Sequence, residues 1–143
     1  RALVDWLCSG VFEQFSELRV VLSEGQVGWM PYMLDRIDRT WHHHRGYAGV
    51  DDRLTKAPSE YVEGHLYGCV YDDVVGLEAR ARLPFHQIMY EVDFPHGDSS
   101  WPHSLATAQR LVADAGLSAD ETVQLLRTNA IACYRLDRFG LTA

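Results

Sequence analysis

The sequence predicts an α/β fold built on a parallel sheet, because three short apolar runs alternate with stretches of helical periodicity. The runs cover residues 18–22, 65–71 and 87–92. Each is rich in β-branched or aromatic residues and is followed by acidic residues, as expected of buried strands that end in loops. Strands that alternate with helices pair in parallel through right-handed crossovers.

Helical stretches surround these runs. They are predicted over residues 3–15 (as two short pieces broken at Ser9-Gly10), 29–39, 58–61, 73–80, 104–115 and 118–132. The sequence Ser118-Ala119-Asp120-Glu121 is a capping box that marks the start of the last helix. Residues 40–56 are polar and rich in histidine and show no clear period, so a loop is predicted there.

The composition indicates the class of protein. The 143 residues, 47% hydrophobic and 23% charged, have the balance of one globular domain. The net charge of -7 and the scattered basic residues argue against a nucleic-acid partner, since phosphate binding needs clustered lysine and arginine. No apolar stretch approaches the ~20 residues that span a bilayer, so a cytoplasmic protein without a membrane partner is expected. Cys8, Cys69 and Cys133 are expected to be reduced core residues.

The densest polar segment, residues 93–104, follows the third predicted strand. Ligands of parallel sheets bind beyond the carboxyl ends of the strands, where Glu24, Asp72, Asp73 and Asp93 fall. A carboxylate directly after a buried strand costs free energy unless it meets a metal ion, a base or backbone donors. Asp93 is therefore a candidate metal ligand or proton-transfer residue, and capping of the next turn is the alternative.

Two separated segments resemble the carboxyl-terminal third of the amidohydrolase-related family, which includes aromatic-acid and semialdehyde decarboxylases. The first is residues 18–25 followed by Gly28-Trp29-Met30-Pro31-Tyr32, and the second is residues 88–104 with its Asp93-Phe94-Pro95-His96 core. The resemblance implies that residues 1–143 form the carboxyl-terminal part of a (β/α)8 TIM barrel, with the three strands as about the sixth to eighth. A closed barrel takes at least ~200 residues. The family's His-x-His, or related acidic, pair after the first strand and its histidine after the fifth strand are therefore expected outside this sequence.

The resemblance also implies a metal-dependent hydrolase or decarboxylase that acts on a small carboxylate or aromatic substrate. Asp93 matches the aspartate that, in the family, binds the divalent metal or takes the proton from its bound water. Zinc is the expected ion and manganese the alternative. Asp93 or a metal-bound water is expected to handle proton transfer, with Glu24 and His96 assisting. His96 and His103 are also candidates for substrate contact or for orienting Asp93, with loop shaping as the alternative. Trp101 is expected to face the substrate pocket.

Two positions depart from the family pattern. Many relatives carry histidine where this chain has Glu24, which is predicted either to assist catalysis as a proton shuttle or to organise loops. Relatives usually have a small residue at the position of Glu91, and a bulky charge there is expected to perturb the metal site. The run His42-His43-His44 is expected to lie in a variable loop rather than to bind a metal.

Two alternatives to an enzyme remain open. The chain could be a non-catalytic fragment or assembly module, because open sheet edges and an apolar inner face need a cover. A second copy of the chain or the missing half of the barrel would supply it. The chain could also be a binding protein that keeps the pocket without the chemistry, and ligand binding without turnover would identify it.

Overall fold

A computed structural model of the chain describes residues 1–49 and 53–142. Its centre is a sheet of three parallel strands in the order β1-β2-β3. The strands are β1 (Val20–Leu22), β2 (Leu66–Val70) and β3 (Ile88–Tyr90). Each lies within a predicted run, which confirms the α/β class and the parallel pairing, although each is shorter than its run.

Helices precede, separate and follow the strands. In the described residues they are α1 (Ala2–Cys8), α2 (Val11–Gln14), α3 (Met30–Ala48), α4 (Val74–Glu78), α5 (Ser104–Asp114), α6 (Ala119–Val123) and α7 (Asn129–Tyr134). A π-helical segment, Gln124–Thr128, joins α6 to α7 in one continuous helix. Short 3-10 turns cover Pro58–Tyr61, Arg80–Arg82, Phe85–Gln87 and Leu136–Phe139. None of the described helices combines the length and apolarity that crossing a membrane requires.

The predicted loop over residues 40–56 is wrong for its first half. Helix α3 continues through the histidines and ends at Gly49, whose φ of 68° lies in the left-handed region that glycine favours. The buried side chains of this helix recur every three or four residues: Met30, Leu34, Ile37 and Trp41. The buried Trp41 continues this apolar stripe by one more turn, although the residues that follow it are polar. Residues 50–52 of the predicted loop lie outside the described residues.

Both faces of the sheet are covered, because all five residues of β2 are buried. Successive strand residues face opposite sides. On one side, Leu66 and Val70 pack into the clusters formed with the surrounding helices. On the other side, Tyr67 and Cys69 pack with Cys133 of α7. Cys69 and Cys133 are buried free thiols, as expected, whereas the free thiol Cys8 is only partly buried.

The loop between β1 and α3 is fastened to the start of α4 by Asp73. The Asp73 side chain caps α4 by accepting the N–H of Gly76 at 2.8 Å, and its other oxygen accepts the N–H groups of Val27 and Gly28 at 2.8 and 2.7 Å. A Cβ atom at Gly76 would lie 2.3 Å from this carboxylate, so only glycine fits there. The fastening fixes the loop that carries Glu24.

Candidate metal and catalytic site

Glu24, Asp93 and His96 converge beyond the carboxyl ends of β1 and β3. One potential metal-ligating atom from each of the three side chains lies within 4.8 Å of the others. His96 Nδ1 lies 2.8 Å from Asp93 Oδ1 and 3.5 Å from Glu24 Oε1. The fold thus brings together the three side chains that the sequence analysis selected as catalytic, whose roles stay predictions.

Asp93 is the least exposed member of this cluster, with a side chain only 6% accessible. Its φ of 59° is a left-handed conformation, which costs on the order of 1–3 kcal/mol in a residue other than glycine. The turn that follows it holds this conformation, because the N–H of His96 donates to the Asp93 carbonyl at 3.0 Å. Ser99 Oγ and the N–H of Ser100 both donate to the carbonyl of Val92, at 2.9 and 3.1 Å. The loop therefore folds back on the strand end and aims the His96 ring at Asp93.

The charge around Asp93 suits a cation. Within residues 1–49 and 53–142, the ion pairs of Asp93 and Glu24 involve His96 and neither lysine nor arginine. The hydrogen bond to Asp93, followed by the negative charges of Asp93 and Glu24, raises the pKa of the exposed His96 ring. The two carboxylates thus favour a positive charge between them.

Glu24 occupies a loop braced by hydrogen bonds. Its φ is 61°, also left-handed, and its N–H donates to Oε1 of Glu91 at 2.6 Å. The indole N–H of Trp29 donates to the carbonyls of Gly25 and Gln26, at 2.6 and 3.1 Å. The Glu24 side chain remains about half exposed, so it can reach both the cluster and solvent.

Sequence analysis missed the contact that Glu91 makes. Glu91 was expected to disturb the site, whereas its carboxylate accepts the main-chain N–H of Glu24 at 2.6 Å. Burial raises the pKa of the half-buried Glu91 carboxyl. Strand alternation was the available signal, since it places Met89 and Glu91 on the same face as Cys69.

The remaining strand-end carboxylates do not join the cluster. Asp73 fastens the β1–α3 loop, as described above, while the exposed Asp72 pairs with Arg110 at 3.5 Å. The run His42-His43-His44 lies exposed on α3, and in the described part of the chain it belongs to no group of metal-ligating side chains.

Trp101 and His103 lie on the loop after the last strand but outside this cluster. The Trp101 side chain is 61% exposed and packs edge-to-face against Phe94, with ring centroids 5.6 Å apart. His103 is exposed at the amino terminus of α5, and its N–H donates to the carbonyl of Ser100 at 2.9 Å. Their predicted places in a substrate pocket stay predictions.

The family model described as "Amidohydrolase" matches residues 1–136, and the chain therefore belongs to the amidohydrolase family. A comparison with curated protein sequences found no match.

Several solved structures share the fold. The 5-carboxyvanillate decarboxylase LigW from Sphingomonas paucimobilis matches 92% of this chain with a TM-score of 0.73 and 22% identity. The amidohydrolase map2389c from Mycobacterium avium subsp. paratuberculosis K-10 matches 92% with a TM-score of 0.71 and 20% identity. The IDCase of Metarhizium anisopliae, solved in apo form, matches 93% with a TM-score of 0.67 and 23% identity. The chain spans only 38%, 32% and 38% of these three proteins, respectively.

Proposed function

We propose that this chain is the carboxyl-terminal part of a metal-dependent amidohydrolase-type enzyme, with β1, β2 and β3 as the sixth to eighth strands of a (β/α)8 barrel. Three observations support this placement. The strands are parallel and in sequential order, the family model covers nearly the whole chain, and the similar structures are much longer than it. Barrel enzymes build their active sites at the carboxyl ends of the strands, where Asp93 and Glu24 lie.

The donor set fits a divalent cation. Asp93, Glu24 and His96 offer two carboxylate oxygens and one imidazole nitrogen, which are ligand types that zinc takes in proteins, and the family's further metal-binding histidines are expected outside this sequence. We propose zinc, with manganese as the alternative, because carboxylate oxygens suit both. When bound, such an ion polarises carbonyl oxygens and lowers the pKa of its water.

The side chains themselves can hold and move a proton. Asp93 Oδ1 and His96 Nδ1 share a hydrogen bond of 2.8 Å, so a proton that reaches Asp93 can pass to Nδ1 when the neutral imidazole carries its own proton on Nε2. Glu24 Oε1, 3.5 Å from the same nitrogen, is a second acceptor that opens to solvent. We propose Asp93 as the metal ligand and principal proton acceptor, with His96 and Glu24 assisting.

A small aromatic or carboxylate substrate fits this site best. The edge-to-face pair of Phe94 and Trp101 stands exposed on the loop that carries Asp93, and exposed aromatic rings offer flat apolar surface to a planar ligand. His103, on the same loop, is proposed to contact the substrate. The name of LigW, a carboxyvanillate decarboxylase, supports the same substrate class. Decarboxylation and hydrolysis are both compatible with this site.

The convergence of Asp93, His96 and Glu24 is the observation that carries this proposal. Its test is a screen of the longest protein that contains this chain, supplied with Zn²⁺ or Mn²⁺, for CO₂ release from aromatic carboxylic acids and for hydrolysis of small amides and lactones. We expect turnover with one of these classes and a loss of at least about 100-fold in Asp93→Asn. Equal turnover in Asp93→Asn would refute the role of this carboxylate.

Association is the second candidate function. In the described residues, β1 and β3 each pair on one side only, and unpaired strand edges favour pairing with another chain. We propose that a second copy, or the remainder of the barrel, covers these edges. Light scattering that shows a monomer at high concentration would contradict it.

A further inference from the structure

We infer that Glu91 is a positioning residue, whose carboxylate fixes the main chain at Glu24 so that the Glu24 side chain reaches Asp93 and His96. The inference rests on the proposed function in that it treats these three side chains as the site. It gives a physical role to a charged residue that the family pattern would replace with a small one.

The contact joins two strands that are not neighbours. β2 lies between β1 and β3, and adjacent strands are about 4.8 Å apart, so no ladder hydrogen bond connects the ends of β1 and β3. Glu91 follows β3, Glu24 follows β1, and Oε1 of Glu91 accepts the Glu24 N–H at 2.6 Å. The Glu91 side chain therefore spans the end of the central strand.

Glu91 is itself anchored to β2 through its main chain. Its N–H donates to the carbonyl of Val70 at 2.9 Å, which extends the pairing of β3 with β2 by one residue. Burial, followed by the nearby charge of Glu91, raises the pKa of the Cys69 thiol on β2 to about 12. Glu91 thereby links the ends of all three strands, through its main chain to β2 and through its carboxylate to the loop after β1.

Glu24 needs such a restraint because its φ of 61° is disfavoured for any residue that has a Cβ atom. A carboxylate is a stronger acceptor for this N–H than water or a neutral group. Without it, the turn can relax toward a right-handed conformation, which redirects the side chain. The 3.5 Å approach of Glu24 Oε1 to His96 Nδ1 would then be lost.

Two variants of the full chain separate positioning from general stability. Glu91→Gln keeps the length of the side chain and an acceptor oxygen, whereas Glu91→Ala removes the acceptor. Glu63→Ala, which removes an exposed glutamate paired with His86, is the matched control. The first measurement is hydrogen–deuterium exchange of the Glu24 amide without metal, resolved by fragmentation mass spectrometry. We expect exchange at least about tenfold faster in Glu91→Ala and close to wild type in Glu91→Gln and Glu63→Ala.

The second measurement is Zn²⁺ affinity by competition with a chelator, accompanied by the thermal unfolding midpoint. We expect Glu91→Ala to weaken Zn²⁺ binding by about 10- to 100-fold, and Glu91→Gln to keep most of the wild-type affinity. Unchanged Glu24 exchange in Glu91→Ala would overturn the inference, as would equally fast exchange in Glu91→Gln or acceleration spread evenly over the whole chain. Faster exchange confined to Glu24, in a protein that binds no Zn²⁺, would support the positioning role while contradicting the proposed metal site.

Discussion

Replacing Asp73 with alanine removes the acceptor of three main-chain N–H groups at once. The donors are Val27 and Gly28 in the β1–α3 loop and Gly76 in the first turn of α4, at 2.7–2.8 Å. Val27 has no exposed surface and Gly76 is buried, so their amides cannot turn to solvent unless the packing opens. The substitution therefore leaves buried donors without partners.

The magnitude follows from the individual contacts. A hydrogen bond to a charged acceptor contributes about 1.5–3 kcal/mol, and loss of a helix cap alone costs about 1 kcal/mol. The three bonds share one carboxylate, and the partly exposed Gly28 amide can bind water instead, so the contributions do not add fully. We expect Asp73→Ala to lower the free energy of unfolding by about 3 kcal/mol. Asp73→Asn keeps one acceptor oxygen and should lose about half as much.

Urea unfolding, followed by circular dichroism near neutral pH, measures this loss as a shift of the midpoint at constant slope. Asp72→Ala is the matched control, because Asp72 is the neighbouring acid but is exposed and, within residues 1–49 and 53–142, pairs with Arg110 alone, at 3.5 Å. It should cost less than about 0.5 kcal/mol. A loss below about 1 kcal/mol for Asp73→Ala, or equal losses for the two variants, would refute the fastening role of Asp73.

Two further predictions concern buried and acid-sensitive contacts. Gln87 is 1% exposed and makes three hydrogen bonds of 2.6–2.8 Å to main-chain groups of residues 62–66. Gln87→Leu should lower the free energy of unfolding by about 2–4 kcal/mol in the same urea assay, and a change within about 0.5 kcal/mol would contradict this. Hydrogen bonds, first from Arg80, lower the pKa of Glu121 to about 2. The stability that the ionised Glu121 gives to the folded state is therefore present above the ordinary carboxyl pKa and is lost as pH falls from about 5 toward 2. Glu121→Gln should therefore be less stable than wild type near pH 7 and converge with it near pH 2, whereas a constant difference across urea titrations would contradict the assignment.

The order of elements could be predicted because each strand is a short apolar run that ends at acidic residues. The three predicted runs all contain a strand of one parallel sheet, and the Ser118 capping box does start α6. Each predicted run is longer than the strand that it contains. Apolar side chains are buried beyond the strand ends as well, so burial alone does not mark where ladder pairing stops.

The helical conformation of the histidine run could not be predicted from local polarity. His42, His43 and His44 face outward, and their exposure hides the buried stripe on the opposite side of α3. The signal was present at Trp41, which continues the spacing of the stripe, and at Gly49, which supplies the left-handed end of the helix. For the end of α3, the spacing that continues to Trp41 and the glycine at position 49 are therefore better evidence than local polarity.

The site was predictable where its contacts are local. Asp93 and His96 are three residues apart on one turn, and the strand pattern places Glu24 at the same end of the sheet. The contact of Glu91 with the Glu24 main chain depends on the alignment of two strands that are not adjacent, which no short motif records. The orientation of Trp101 depends similarly on how its loop packs against Phe94.

Divalent cation binding tests the central claim most directly, namely that the Asp93 carboxylate holds a cation beyond the carboxyl ends of the strands. Zn²⁺ affinity of the full chain can be measured by chelator competition for wild type, Asp93→Ala and Asp98→Ala, where Asp98 is an exposed acid of the same loop. We expect Asp93→Ala to weaken binding by at least about 100-fold and Asp98→Ala by less than about threefold, with similar thermal midpoints. Equal affinities in wild type and Asp93→Ala would contradict the account.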